Sequence, residues 1–232
     1  MDSPKAILTK EGEISIITLN DGKANVFSPA MIKDVNGCLD NVPTDSGCLI
    51  IRGSKGMFSA GFDLKVIGSG DVDAIKSMSK SGFEMLSRIL DFPRPVIGAC
   101  TGHGIALGTF LLCCCDYRIG LKGDFMIGAN EMRTNMVIPI PILELIKFRV
   151  SQAHKYRAIL GGTIYPISDA VEAGLIDEVV DEESFEEKLS EKAKDLATMG
   201  HPSYSLTKEL FIGEVSEKIK NALEDATIET NQ

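Results

Sequence analysis

Apolar and polar positions follow an ordered alternation over the first 180 residues. In KAILTKEGEISIITL, two short runs flank Glu11-Gly12, which predicts two strands joined by a tight turn. SPAMIKDVNGCLD follows with helical spacing, Ser28 in the N-cap position and Pro29 at the first helical residue. GCLIIRG is a continuous apolar run of strand length. DVDAIKSMSKSGFEMLSRIL sets Ile75, Met78, Met85, Leu86 and Ile89 at helical spacing, and PVIGAC is again a buried strand. Strand, helix, strand, helix, strand predicts an α/β layered core. From Thr101 the pattern predicts a glycine-interrupted apolar helix from Ile105 to Cys115. Strands at YRIG and FMIGA come next, then a helix through PILELIKFRV. ISDAVEAGLIDEVV reads as a short helix closed by Gly174 and a strand ending near Val180.

After residue 180 the composition changes. DEESFEEKLSEKAKDLATM is a charged amphipathic helix with Phe185, Leu189, Ala193 and Leu196 on one stripe, and further helices are expected to the end. The division expected is a core over 1–180 and a helical region over 181–232. No internal repeat or low-complexity tract appears in the sequence.

The charge balance narrows the possible partners. Lysines and arginines number 24 against 33 acids, a net charge of −9, which repels a phosphate backbone and argues against nucleic acid. The longest apolar runs, IALGTFLLCCC and VIPIPILELI, fall short of the roughly 20 residues a bilayer requires, so no membrane partner is expected. MDSPKAILTKEG has neither a signal-peptide nor a transit-peptide pattern, and the terminal ETNQ is not a peroxisomal signal; a cytoplasmic setting is expected. The six cysteines show no C-x-x-C spacing and read as reduced, buried small hydrophobes. Three scattered histidines, at 103, 154 and 201, offer no metal-ligand spacing.

Two stretches carry candidate chemistry. FSAGFDL leaves an apolar run through small residues and reaches Asp63 where a helix or turn can begin; VIGACTGHGIALG leaves a buried strand through Gly102, Gly104 and Gly108 and enters an apolar helix. Glycine at such corners permits close approach of the backbone, and amides at the start of a helix are free to point outward. Placed side by side in a sheet, the two corners would let two N–H groups converge on one oxygen, the arrangement of an oxyanion hole.

The blocks MFSAGFDLK, RPVIGACTGHGIALG, CDYRIG, FMIGANEMRTNMVIP and YPISDAVEAGLIDEVV, in this order over residues 50 to 180, resemble the crotonase (enoyl-CoA hydratase/isomerase) superfamily. The resemblance implies a spiral of ββα turns, a C-terminal helical region used in trimer assembly, and a coenzyme A thioester as substrate, with no separate cofactor. Its carbonyl would lie between the backbone amides of Phe62 and Leu107. Ala60, Gly61, Asp63 and Leu64, with Gly108, match positions that line the coenzyme. The loop GKANVFS, which holds Lys23, Ala24, Asn25, Val26 and Phe27, matches an earlier ligand-contacting loop.

Relatives that hydrate double bonds carry two glutamates, and at the first of those positions this chain has Phe110. The second corresponds to Glu131. Hydration needs groups to activate water and to manage the α-carbon proton, whereas moving a double bond from position 3 to position 2 needs one acid/base and a stabilised enolate. The expected activity is therefore that of a Δ3,Δ2-enoyl-CoA isomerase, with Glu131, Phe62 and Leu107 as the catalytic set and a homotrimer or dimer of trimers as the assembly. The alternatives are a hydratase-like lyase or hydrolase of the same superfamily, and a catalytically idle acyl-CoA-binding homologue. Taken alone, Glu131 reads as an exposed acid, the usual place of a lone glutamate. Arg133, two residues on, would lower its pKa if it pointed inward. His103 reads as a turn residue, Asp116 as a structural acid and Phe110 as core.

Overall fold

The computed structural model describes residues 3–224; ETNQ and the last eight residues of the 181–232 region lie outside the described residues. The chain opens with β1 (Ala6–Glu11) and β2 (Ile14–Leu19), an antiparallel pair whose two-residue turn holds Gly12 at φ +61°. That turn is available to glycine without steric cost. Then α1 (Pro29–Leu39) begins at Ser28, whose hydroxyl accepts the amide of Met31, and buries Met31, Ile32, Val35, Cys38 and Leu39. A spiral follows: β3 (Cys48–Arg52), β4 (Gly56–Ser59), α2 (Leu64–Ile67) and α3 (Val72–Leu90); β5 (Val96–Cys100), β6 (Gly102–Ile105) and α4 (Leu107–Cys114); β7 (Tyr117–Leu121), β8 (Met126–Gly128), a 3-10 turn over Glu131–Thr134, and α5 (Ile140–Arg149). The chain closes through α6 (Lys155–Ile159), β9 (Ile164–Pro166), β10 (Glu178–Val180), α7 (Glu182–Ala197) and α8 (Ser203–Glu224).

The first strands of the successive units build one six-stranded sheet, in the order β1-β2-β3-β5-β7-β10, parallel from β2 onward. The second strands build a smaller sheet, β4-β6-β8-β9, parallel except for β9. The structural unit thus repeats although the sequence shows no repeat, because each turn of the spiral needs only a buried strand, a short second strand and an amphipathic helix.

The expectation differs from the fold at three points. Both glycine corners close a second strand, β4 or β6, and are separated from the long apolar strand by a further loop. These strands are rich in glycine, which has low strand propensity, and tertiary packing selects them. A Cβ at Gly102 would overlap the carbonyl carbon of Gly56, so β6 lies this close to the start of β4 only as glycine. The apolar helix starts at Leu107, two residues later than its pattern suggests. The segment Ile167–Gly174 forms successive turns closed by Gly174 at φ +77°, not a helix.

Two apolar layers hold the assembly. The larger packs α1, α3, α4 and α5 against the inner faces of both sheets. The smaller lies on the other face of the six-stranded sheet, where Phe185, Leu189 and Ala193 of α7 cover Ile14, Ile50, Ile97 and Ile119, the stripe expected from the sequence. Buried polar links attach α8: Lys208 donates to Asp116 at 2.7 Å, and the Ser216 hydroxyl to Asp91 at 2.6 Å. Asp116 also accepts the Val96 amide, so it is the structural acid its setting suggests. Among the described residues, no helix is long and apolar enough to cross a membrane.

Candidate active site

Parallel pairing of β4, β6 and β8 brings their C-terminal ends to one edge of the small sheet, with Ser59 opposite Gly104 and Ile105 opposite Gly128. The first corner, Ala60-Gly61-Phe62, leaves β4 there. Gly61 has φ +94°, and a Cβ on it would lie 3.0 Å from Ala106 Cβ and 3.3 Å from the Leu107 nitrogen. The two corners are therefore in contact. The second corner turns at Ala106, a non-glycine residue at φ +50°, and enters α4 without a side-chain cap. Strain of this kind persists only where the surroundings impose it.

The first amides of a helix have no partner four residues back. Neither the Leu107 nor the Phe62 amide has a hydrogen-bond acceptor among the described residues. The Phe62 side chain is fixed from the other side: its ring meets Phe83 edge to face at 5.7 Å and fills the space a Cβ would take at Gly82.

Glu131 follows Gly128 by three residues and begins the 3-10 turn. It is 7% exposed, the one carboxylate residue of the buried class among the described residues. The exposed position usual for a lone glutamate does not hold here. Its backbone is held firmly, since the Glu131 carbonyl accepts from the Met136 amide at 2.9 Å and the Thr134 hydroxyl at 3.1 Å. Its Oε2 is buried without a hydrogen-bond partner. Burial raises its pKa from the ordinary glutamate value, because the charged form loses water. Arg133 does not counter this: its Nε donates to the Gly162 carbonyl at 2.9 Å and its Nη2 to the Gly161 carbonyl at 3.2 Å, so the side chain is committed to the neighbouring loop. Phe110 is buried on α4, as expected of a core residue; His103 lies within β6 and not in a turn, because its backbone pairs with Met57 of β4, and its Nδ1 accepts the Met126 amide.

The loop over residues 21–27 is stitched to the first corner. The Ala60 amide donates to the Ala24 carbonyl at 3.0 Å, and the Phe27 amide to the Gly61 carbonyl at 2.8 Å. Asn25, fully buried at φ +51°, donates to the carbonyls of Met57 and Phe58, while the Ser59 hydroxyl donates to the Asn25 carbonyl. Asn25 and Phe27 thus hold the loop in place, leaving exposed Lys23 and half-buried Ala24 and Val26 on its outer side. Asp63 caps α2 by accepting the Lys65 amide, and Leu64 is exposed. Gly108 is a packing contact, where a Cβ would lie 2.5 Å from the Ser59 carbonyl oxygen.

Two residues of this region have roles that the sequence does not assign. Asp21 accepts the amides of Lys23, Asn25 and Val26. Burial alone would raise its pKa, but these backbone donors outweigh that effect and lower it. The Asp-Gly pair is a turn signal that could have found it. Thr109 is the second: its hydroxyl accepts the Gly128 amide and lies within hydrogen-bond reach of the carbonyls of Gly104 and Gly128. A threonine in an apolar run carries no signal of that bridge.

The arrangement can polarise a carbonyl with two main-chain donors and move a proton with one desolvated carboxyl group. Comparison with known proteins agrees with its ancestry. The enoyl-CoA hydratase/isomerase family model matches residues 9–229. A probable enoyl-CoA hydratase of Bacillus subtilis is 28% identical over 79% of this chain and 71% of its own. The rat mitochondrial enoyl-CoA delta isomerase 1 is 26% identical over 89% of this chain and 74% of its own. The crystal structure of a probable enoyl-CoA hydratase from Mycobacterium tuberculosis superposes with a TM-score of 0.90, at 34% identity over 95% of this chain and 93% of that one. The chain belongs to the enoyl-CoA hydratase/isomerase family, of the crotonase superfamily.

Proposed function

We propose that the chain is an enoyl-CoA isomerase that converts a 3-ene to a 2-ene in an acyl-CoA thioester. The observation that carries this reading is Glu131, a buried carboxylate with one unpartnered oxygen, three residues beyond the end of β8, which pairs with the strand leading to the Leu107 amide. Burial raises its pKa, the direction that makes the carboxylate a stronger proton acceptor. Glu131 takes a proton from C2, and the electron pair of that C–H bond delocalises through the thioester as a dienolate. The Phe62 and Leu107 amides stabilise its oxyanion, each donor contributing about 3–4 kcal/mol by analogy with other oxyanion holes. Glu131 then returns the proton at C4; the C3–C4 π pair forms the new C4–H bond while the double bond settles between C2 and C3. Buried Phe110, where a second glutamate would be needed for hydration, supports isomerisation over hydration.

The coenzyme would run past the 23–26 loop and Ala60–Leu64. A homotrimer or dimer of trimers would cover Leu206, Leu210 and Phe211, which are 57%, 85% and 70% exposed on α8. The test is turnover of a 3-enoyl-CoA. Glu131→Gln is expected to abolish it while thioester binding stays nearly intact, and an unchanged rate removes Glu131 from the mechanism. The hydratase named among the relatives supplies the second reading; hydration of crotonyl-CoA faster than isomerisation would favour it.

A further inference from the structure

We infer that Thr109 is a positioning residue that sets the Glu131 segment in register with the Leu107 amide; this rests on the acid/base reading of Glu131 given above. Thr109 is 2% exposed and lies two residues beyond Leu107, in the first turn of α4. Its hydroxyl oxygen accepts the Gly128 amide at 2.9 Å, and its proton has the Gly104 carbonyl at 2.6 Å and the Gly128 carbonyl at 2.9 Å as acceptors. The Ala106 amide donates to that same Gly128 carbonyl at 2.9 Å. Both polar groups of the Gly128 peptide positions are thereby tied to the turn that presents Leu107.

Gly128 is where the strand ends, at φ +151°, and three residues later the chain delivers Glu131. The two halves of the site come from different turns of the spiral, with Leu107 and Glu131 24 positions apart in the sequence. A hydroxyl on one half that accepts the N–H of the other, while donating to the Gly104 carbonyl on its own half, fixes their separation directly. No apolar side chain at position 109 can do this, because it offers neither donor nor acceptor.

The experiment compares Thr109→Val and Thr109→Ser with the unaltered protein on a 3-enoyl-CoA, with Glu131→Gln measured alongside. Thr109→Val is expected to lower kcat about 10- to 100-fold, the scale of a misplaced reacting group, with KM within about threefold. Thr109→Ser, which keeps the hydroxyl, is expected to restore kcat to within about threefold. Should the valine variant fail to fold, Thr109→Cys, a weaker hydrogen-bonding group of similar size, replaces it with the same expectation. A valine or cysteine variant with unchanged kcat overturns the inference. So does a loss confined to KM, or a loss that serine does not restore. If Glu131→Gln keeps full turnover, the acid/base reading fails instead, whatever the Thr109 variants do.

Discussion

Gly61→Ala tests whether the contact between the two corners shapes the site. Gly61 has φ +94°, and the added methyl would sit 3.0 Å from Ala106 Cβ and 3.2 Å from the Ile105 carbonyl oxygen. Holding a non-glycine residue in such a conformation costs about 1–3 kcal/mol. Forcing a carbon into a close-packed contact adds about 1–3 kcal/mol, while the stiffer unfolded chain returns about 0.4–1 kcal/mol. The net expectation is a loss of about 1–6 kcal/mol, or roughly 2–24 °C in Tm at about 2–4 °C per kcal/mol for a chain of this size.

Gly12→Ala is the internal control, because Gly12 has φ +61° but nothing within 4 Å of its added methyl. It carries the backbone term alone, about 1–2 kcal/mol before the unfolded-state offset. The assays are thermal unfolding of both variants and turnover of a 3-enoyl-CoA. The methyl at position 61 pushes on the residues that present the Leu107 amide, so kcat is expected to fall toward the 10²- to 10³-fold loss associated with one missing oxyanion donor. Gly12→Ala should leave kcat unchanged. A Gly61→Ala protein that is folded and turns over at the normal rate refutes the reasoning, as does a loss of Tm equal to that of Gly12→Ala.

The remaining predictions concern Glu131 and Arg133. The folded-state pKa of Glu131 is raised, so its contribution to stability is complete below the unfolded-state value and is lost as pH rises through the folded-state value. Glu131→Gln removes that penalty: its Tm should match the parent below about pH 4.5 and exceed it increasingly at higher pH, and a gap that closes as pH rises would contradict the burial argument. Arg133→Met gives up two hydrogen bonds to the Gly161-Gly162 carbonyls, with an expected cost of about 1 kcal/mol. Because the guanidinium is committed to those carbonyls, the acidic limb of the pH dependence of kcat/KM should stay where it is. A shift to higher pH would mean that Arg133 had been lowering the Glu131 pKa.

The parts legible in the sequence are those that periodicity or a cap encodes locally. Ser28-Pro29 announced α1, the Phe185-Leu189-Ala193 stripe announced the buried face of α7, and the apolar runs announced the central strands. The small sheet was not legible, because β4 and β6 are short glycine-bearing segments whose pairing is selected by backbone contacts such as Gly56 against Gly102. The corners were visible as glycine patterns. Their adjacency became visible only when parallel pairing of β4 and β6 placed Ser59 opposite Gly104. Glu131 came from resemblance, since nothing local distinguishes a glutamate that will be buried from one that will not.

Arg133 and Thr109 show the same limit from opposite sides. A charged residue two positions from the acid suggested an electrostatic role, yet its side chain holds a loop instead. A neutral residue in an apolar helix carries no signal, yet its hydroxyl links two turns of the spiral by accepting the Gly128 amide at the start of α4. Catalysis by main-chain amides makes this general. When the reacting donors are N–H groups common to every residue but proline, side-chain identity cannot mark them, and selection acts on whatever fixes the backbone: glycines that allow close approach, a strained Ala106, and a hydroxyl that holds two segments at one distance. On that argument, the residues that tune this site are to be sought at the contacts between turns of the spiral, where substitutions move the amides without touching substrate.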